Sequence, residues 1–297
     1  MRIAVIGAGG VGGYFGAKLA TAGHDVAFVA RGAHLEAMRA TGLAVESGGG
    51  DIILQKVSAT SDPATLAPAD VVMFCVKLWD VEQAAAQVAP LCAEGGVVIP
   101  FQNGIDSVDI LARTLGADRV LGGVAYIAAS IRAPGVIAHV GSMARLRVGA
   151  FEGRSEHQAQ AFVDACRGAG VDAELADDIG RAIWEKFVFL NALSGLTCLA
   201  RQPLGVIRTD PALRATFEAS MRETIAVAAT KGFAFDDEFV ARQMRASMLG
   251  DLLGGRRLEA PWLCGRVAGL AAQAGIAAPV NATIYAGLKP YVDGARR

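Results

Sequence analysis

Residues 2–12 read Arg-Ile-Ala-Val-Ile-Gly-Ala-Gly-Gly-Val-Gly. A short apolar strand over residues 2–6 runs into G-x-G-x-x-G, Gly7 to Gly12, and a helical stretch follows to Ala20. Gly23 marks the helix end, because glycine takes the left-handed conformation that stops a helix. Residues 25–30, Asp-Val-Ala-Phe-Val-Ala, read as a second strand. Strand, glycine turn, helix and strand within about thirty residues make a βαβ unit, the context in which this glycine pattern binds a dinucleotide. Gly7 allows the tight turn, Gly9 lets the backbone approach a pyrophosphate, and Gly12 lets helix and strand pack closely. Ala8, Gly10 and Val11 complete the loop, and the helix N-terminus offers free N–H groups to the phosphates.

The alternation continues outward. Residues 43–46 and 52–57 read as strands joined through Gly48-Gly49-Gly50, a hairpin. Residues 71–76 and 97–100 are continuous apolar runs, as expected of parallel strands covered on both faces. Between and after them, residues 81–92 and 106–115 read as helices. Residues 119–128, 136–140 and 144–149 have strand character with Gly135 and Gly141 as turns. A helix over 155–169 and a strand over 171–175 end the α/β part. From Asp178 onward the pattern is helical, over 178–198, 211–231, 236–250, 256–275 and 280–289. The expectation is an α/β Rossmann-type dinucleotide-binding domain over residues 1–175 and an all-α domain over 176–297, with cofactor and substrate meeting where the two join.

The bulk composition excludes other classes. With 28 basic and 29 acidic residues and no like-charge block, the composition argues against a general nucleic-acid binder, though it leaves room for a local basic pocket. Five cysteines, at 75, 92, 166, 198 and 264, are odd in number and form no C-x-x-C pair. That is neither a disulfide framework nor a zinc site, and it fits a reducing compartment. The apolar stretch 187–200 is shorter than a bilayer-spanning helix needs and reads as a buried core helix. A cytoplasmic protein with no membrane partner is expected. The alanine-rich helices of the second half can pack within the chain or across a homodimer, and the sequence does not choose.

The end of the second strand discriminates between cofactors. An acid there binds the ribose 2′-hydroxyl of NADH, whereas arginine favours the 2′-phosphate of NADPH. The sequence has Ala30-Arg31-Gly32 and no acid, so Arg31 predicts NADPH. Two further strand ends, at Lys77 and at Asn103-Gly104, point to the carboxyl edge of the sheet, where open α/β sheets bind ligands. Hydride reduction of a ketone leaves charge on oxygen that must be stabilised and protonated. A lysine can do both, and Trp184-Glu185-Lys186-Phe187 places one at the head of the most apolar helix. His24, His34, His139 and His157 show no ligand spacing, so no metal is expected.

The glycine pattern, the Val76-Lys77 strand end, Asn103-Gly104, Trp184-x-Lys186, the run Ser247-Met248-Leu249-Gly250-Asp251 and the downstream Glu259 occur in this order along essentially the whole chain. In this the sequence resembles the ketopantoate reductase (2-dehydropantoate 2-reductase) family. The resemblance implies a helical domain of the 6-phosphogluconate dehydrogenase C-terminal-like kind and NADPH-dependent reduction of ketopantoate to pantoate in pantothenate biosynthesis. It implies Lys186 as general acid, Glu259 as the glutamate that positions it and meets the substrate hydroxyl, and Ser247 on the substrate carboxylate. It implies Asn103 near the nicotinamide and the substrate, Lys77 on the cofactor, and Ala128 as a backbone contact to the cofactor. Some family members carry two substrate-binding asparagines one and two turns after the lysine. Here those positions are Leu190 and Ser194, Met244 replaces a third, and Asn191 points about 100° away. Ser194 is retained as a substrate-side candidate. The losses keep open a reductase of another branched or aromatic 2-oxo acid, and a non-catalytic NADPH sensor would retain Arg31 without the Lys186–Glu259 pair.

Overall fold

The computed structural model describes residues 1–152, 155–236, 238–242 and 257–294. Contacts divide the chain into two compact units. The first holds residues 1–102 and 106–182; the second holds 103–105 and 183 onward.

The first unit is built on β1 (Arg2–Ile6), α1 (Gly10–Thr21) and β2 (Asp25–Val29). β1 is buried along Ile3–Ile6 and pairs in parallel with β2, from Arg2↔Asp25 to Ile6↔Val29. α1 ends as its sequence dictates: Gly23, at φ +89°, donates its N–H to the Ala20 carbonyl, and His24 donates to Leu19. After α2 (Gly32–Thr41), β3 (Leu43–Ser47) and β4 (Ile52–Leu54) form the antiparallel hairpin expected around the triple glycine. Then come β5 (Ser58–Thr60), β6 (Val71–Phe74), α3 (Val81–Val88), β7 (Val97–Pro100) and α4 (Ser107–Leu115).

One sheet has the parallel order β5-β2-β1-β6-β7. The chain winds outward from β1 through β2 to β5, then returns to the other side of β1 with β6 and β7. The order reverses between β1 and β6, and the carboxyl ends of strands at such a reversal are the place where open α/β sheets hold ligands. The second sheet contains β8 (Gly122–Ala133), β9 (Val136–Gly149) and, beyond α5 (Glu156–Gly168), β10 (Asp172–Leu175), in the order β10-β9-β3-β4 with β8 on β9. The expected break at residues 141–143 is not a strand end. β9 runs through it with a register shift opposite Ile127 and Ala129, and Gly141, at φ +81°, takes up the irregularity. Gly135 is the true turn of this hairpin.

The second unit is helical among its described residues. α6 (Ile179–Ala200), whose first residues still belong to the first unit, is 22 residues long. Length therefore does not exclude a membrane span, contrary to the expectation, but 72% of its most apolar window is buried inside the molecule, as in a core helix. Arg201, at φ +53°, closes it by donating to Cys198, and Gln202 donates to Thr197. A short α7 (Leu204–Thr209) that the sequence did not announce precedes α8 (Pro211–Ala229). Asp210 caps α8, accepting from Ala212 and Leu213 at 2.9 Å, and Pro211 stands in the first turn, where its missing N–H costs nothing. Further helices cover Phe239–Arg242, Cys264–Ala274 and Pro279–Leu288. The single helix expected over 256–275 is corrected over its described part. Residues 257–259 are non-helical, Ala260–Trp262 form one 3₁₀ turn, and the α-helix begins only at Cys264. Pro261 removes a donor and disfavours the helical conformation of the residue before it.

Candidate active site

The glycine turn holds its shape through three kinds of contact. Gly7 has φ +96°, and a Cβ there would lie 2.9 Å from the Cys75 carbonyl, so the end of β6 passes directly beside the turn. At Gly12 a Cβ would lie 2.3 Å from the Gly7 carbonyl and 2.8 Å from Val5 Cγ1, the close helix–strand approach the pattern predicts. Gly10 is glycine for a reason the sequence hides. A Cβ there would fall 2.1 Å from the carbonyl of Ala129 on β8. That places the exposed Ala128 beside the start of α1. At Gly9, in contrast, nothing lies within 4 Å of the Cβ position, so a ligand has room on that side. The amides of Gly7 and Ala8 donate to the Val29 carbonyl at 3.0 Å, and the Ala8 carbonyl is bound by His34 Nε2 at 2.9 Å.

Arg31 is exposed at the head of α2, as its proposed partner requires, but it is not alone. Its guanidinium lies 3.8 Å from the Asp80 carboxylate. Lys77 emerges after β6 with its ammonium 5.7 Å from the Trp79 ring. Arg31, Lys77 and the glycine turn all belong to the first unit. They supply two cations and free helix N–H groups, a set suited to pyrophosphate and a 2′-phosphate.

The second unit brings together Lys186, Glu259 and Asn103. Lys186 lies half-buried on α6, between Trp184 and Phe187, whose rings meet edge to face at 5.6 Å. Burial pulls the ammonium down from its usual range to about 8, while the Glu259 carboxylate partly restores it. Glu259 does not lie on a helix. It precedes the 3₁₀ turn, anchored by the fully buried Leu258 and Ala260 on either side, with the Leu258 N–H donating to Val292. The Asn103 amide donates to Glu259 Oε2 at 3.5 Å. Asn103 follows β7 in sequence but clusters with the second unit, and Gly104, at φ +99°, makes its turn.

Leu190 and Ser194 continue the Lys186 face of α6, one and two turns on, and Ser194 is 1% exposed, so it offers no open surface to a ligand in this arrangement. Asn191 points elsewhere, as its position predicts. It is fully buried and donates to Thr224 Oγ1 and Asn281 Oδ1, and Asn281 bonds Ser220 and Glu223. Ser247 and Met244 lie outside the described residues.

A model of the family described as Ketopantoate reductase PanE/ApbA matches residues 3–153, and its C-terminal counterpart matches residues 178–292. The chain belongs to the ketopantoate reductase family. This is a family of nicotinamide-dependent oxidoreductases. Among the family's relatives, the 2-dehydropantoate 2-reductase of Archaeoglobus fulgidus is 34% identical, over 95% of each chain. The oxidoreductase YkpB of Bacillus subtilis is 30% identical, over 98% of this chain and 99% of its own. The crystal structure of 2-dehydropantoate 2-reductase from Geobacter metallireducens superposes with a TM-score of 0.90 at 32% identity, covering 98% and 99% of the two chains. The doubly wound first unit and helical second unit are thus those of ketopantoate reductases.

Proposed function

We propose that this chain reduces 2-dehydropantoate to pantoate with NADPH, in the cytoplasm, and that Lys186 is the proton donor. The observation that carries the reading is the grouping of Lys186 with the Glu259 carboxylate, which the Asn103 amide bonds; burial there lowers the ammonium to about 8 against the pull of that carboxylate. Most surface lysines are too basic to release a proton quickly. One poised near neutrality both stabilises a developing alkoxide and gives up its proton. Glu259 keeps that ammonium charged and oriented, and Asn103 holds Glu259. Ser247, from its place in the family pattern, takes the substrate carboxylate, and Ser194 stays a substrate-side candidate that would need side-chain movement.

The first unit fits the dinucleotide. Open space at Gly9 admits a pyrophosphate, Arg31 and Lys77 neutralise phosphate, and Ala128 borders the loop. NADPH bound there supplies the hydride. The residues of the chain then do the rest: Lys186 protonates the carbonyl oxygen as it becomes an alkoxide, and its burial on α6 keeps the ammonium partly dry. Five free thiols suit a reducing cytoplasm.

The test is NADPH oxidation followed with 2-dehydropantoate beside a panel of branched and aromatic 2-oxo acids. The expected result is the highest kcat/KM for 2-dehydropantoate. A higher value for another acid replaces the substrate, and no turnover of any 2-oxo acid removes the reductase reading.

A further inference from the structure

His34 is 9% exposed on the first turn of α2, facing inward. Its two ring nitrogens meet opposite kinds of partner. Nδ1 lies 3.0 Å from the Gly135 N–H, which can only donate, so Nδ1 accepts. Nε2 lies 2.9 Å from the Ala8 carbonyl, which can only accept, so Nε2 carries the proton. The surroundings thus fix the neutral ring in one tautomer. Burial acts the same way, lowering the imidazole's affinity for a second proton.

The consequence lies in the peptide between Ala8 and Gly9. In a planar trans peptide the C=O and the N–H point in opposite directions. Tying the Ala8 carbonyl to His34 therefore turns the Gly9 N–H away from α2. The preceding peptide is fixed as well, because the Ala8 N–H is held by the Val29 carbonyl at 3.0 Å. Gly9 is also where the loop leaves open space. At its other nitrogen His34 holds Gly135, the turn of the β8–β9 hairpin, and the Gly135 carbonyl accepts from Ala44 at 2.9 Å. Farther along the same hairpin, the Ala129 carbonyl presses on Gly10.

We propose that His34 is a positioning residue for the dinucleotide, orienting the Gly9 N–H toward the pyrophosphate through its bond to the Ala8 carbonyl. The proposal rests on the NADPH reading above. His34 touches neither the reacting atoms nor, by this account, the cofactor itself. It acts through one peptide plane, so its loss weakens cofactor binding and leaves the chemical step intact.

Three variants separate this role from simple packing. His34→Leu removes both bonds. His34→Gln places an amide nitrogen where Nε2 stands and keeps the Ala8 bond. His34→Asn reaches only the Nδ1 position and keeps the Gly135 bond. NADPH affinity is measured by fluorescence titration, with KM and kcat from turnover and melting curves for each protein. The expected result is an NADPH Kd raised about tenfold in His34→Leu, the size of one lost buried hydrogen bond, with kcat at saturating NADPH near the parent value. His34→Gln recovers most of the affinity and His34→Asn does not. If His34→Leu fails to fold, the Gln–Asn comparison decides alone. Affinity unchanged in His34→Leu, or restored as well by Asn as by Gln, overturns the proposal. A parent protein that binds neither NADPH nor NADH overturns the cofactor reading and this proposal with it.

Discussion

At Lys186 two opposing effects meet: burial strips water from the ammonium, and the Glu259 carboxylate compensates in part. The acid form is the working form in reduction. With the group near about 8, it is protonated below that pH and loses its proton above it, so kcat/KM should hold near pH 7 and fall as pH rises through about 8. A pH–rate profile flat to pH 10 would contradict this. Lys186→Ala should lower kcat about 10²- to 10⁴-fold, the usual worth of a placed general acid, with NADPH Kd measured by titration unchanged. At Arg31 the sequence was legible and incomplete. The absence of an acid at the end of β2 pointed to a 2′-phosphate, but Asp80, 49 residues away in sequence, leans on the same guanidinium, and only the fold reveals it. Both groups are partly exposed, so the pair is weak. Arg31→Ala should raise the NADPH Kd about tenfold or more and leave NADH nearly unchanged, while Asp80→Asn should tighten NADPH a few-fold at low salt. Equal effects on both cofactors would take Arg31 off the 2′-phosphate. His34 was passed over for a related reason. Spacing rules search for ligand sets, and the partners of this side chain are two backbone groups at Ala8 and Gly135, which no sequence pattern encodes.

Among the elements, those whose reasons are local were readable. β1, α1 and β2 follow from an apolar run, a glycine turn and a helix stop, and α8 from the helical pattern over residues 211–231. Those set by distant contacts were not. Gly10 was read only as part of the cofactor loop, and its packing against β8 came with the fold; β9 looked broken at Gly141 until its irregular pairing with β8 was seen. Glu259 was placed on a helix that Pro261 delays. In the second unit, Glu223 on α8 accepts the Val280 and Asn281 N–H groups at 2.6 and 2.7 Å, putting a carboxylate at the positive end of the Pro279–Leu288 helix. Asn281 also bonds the Ser220 carbonyl at 3.2 Å and meets Asn191. Asn281→Ala should therefore destabilise the fold by about 2–4 kcal/mol, since it strands several buried partners at once. Urea unfolding measures this, and a loss under about 0.5 kcal/mol would mean the network carries little.

Across the whole molecule the cores are distinct: one packs the two sheets of the first unit against α1 and α5, and others surround α6 in the second. Two of them contain buried thiols. Cys166 belongs to the first and Cys198 and Cys264 to the second, all buried, and burial pushes Cys166 and Cys264 up to about 12. These thiols should resist an aromatic disulfide reagent at pH 8 and react only as their own core opens. Mapping modified cysteines over time then reads each core separately, and rapid labelling of Cys166 in the native protein would contradict its burial. The tripeptide Asn103–Ile105 has a consequence for how such proteins can be recombined. Because it is lodged with the second unit while its neighbours on both sides belong to the first, the chain changes allegiance three times rather than once. A chimera spliced only near residue 182 would pair a foreign helical half with a native Asn103, and the Glu259 equivalent would meet an amide it was not selected with. Grafts that carry all three residues along with the helices should keep that match.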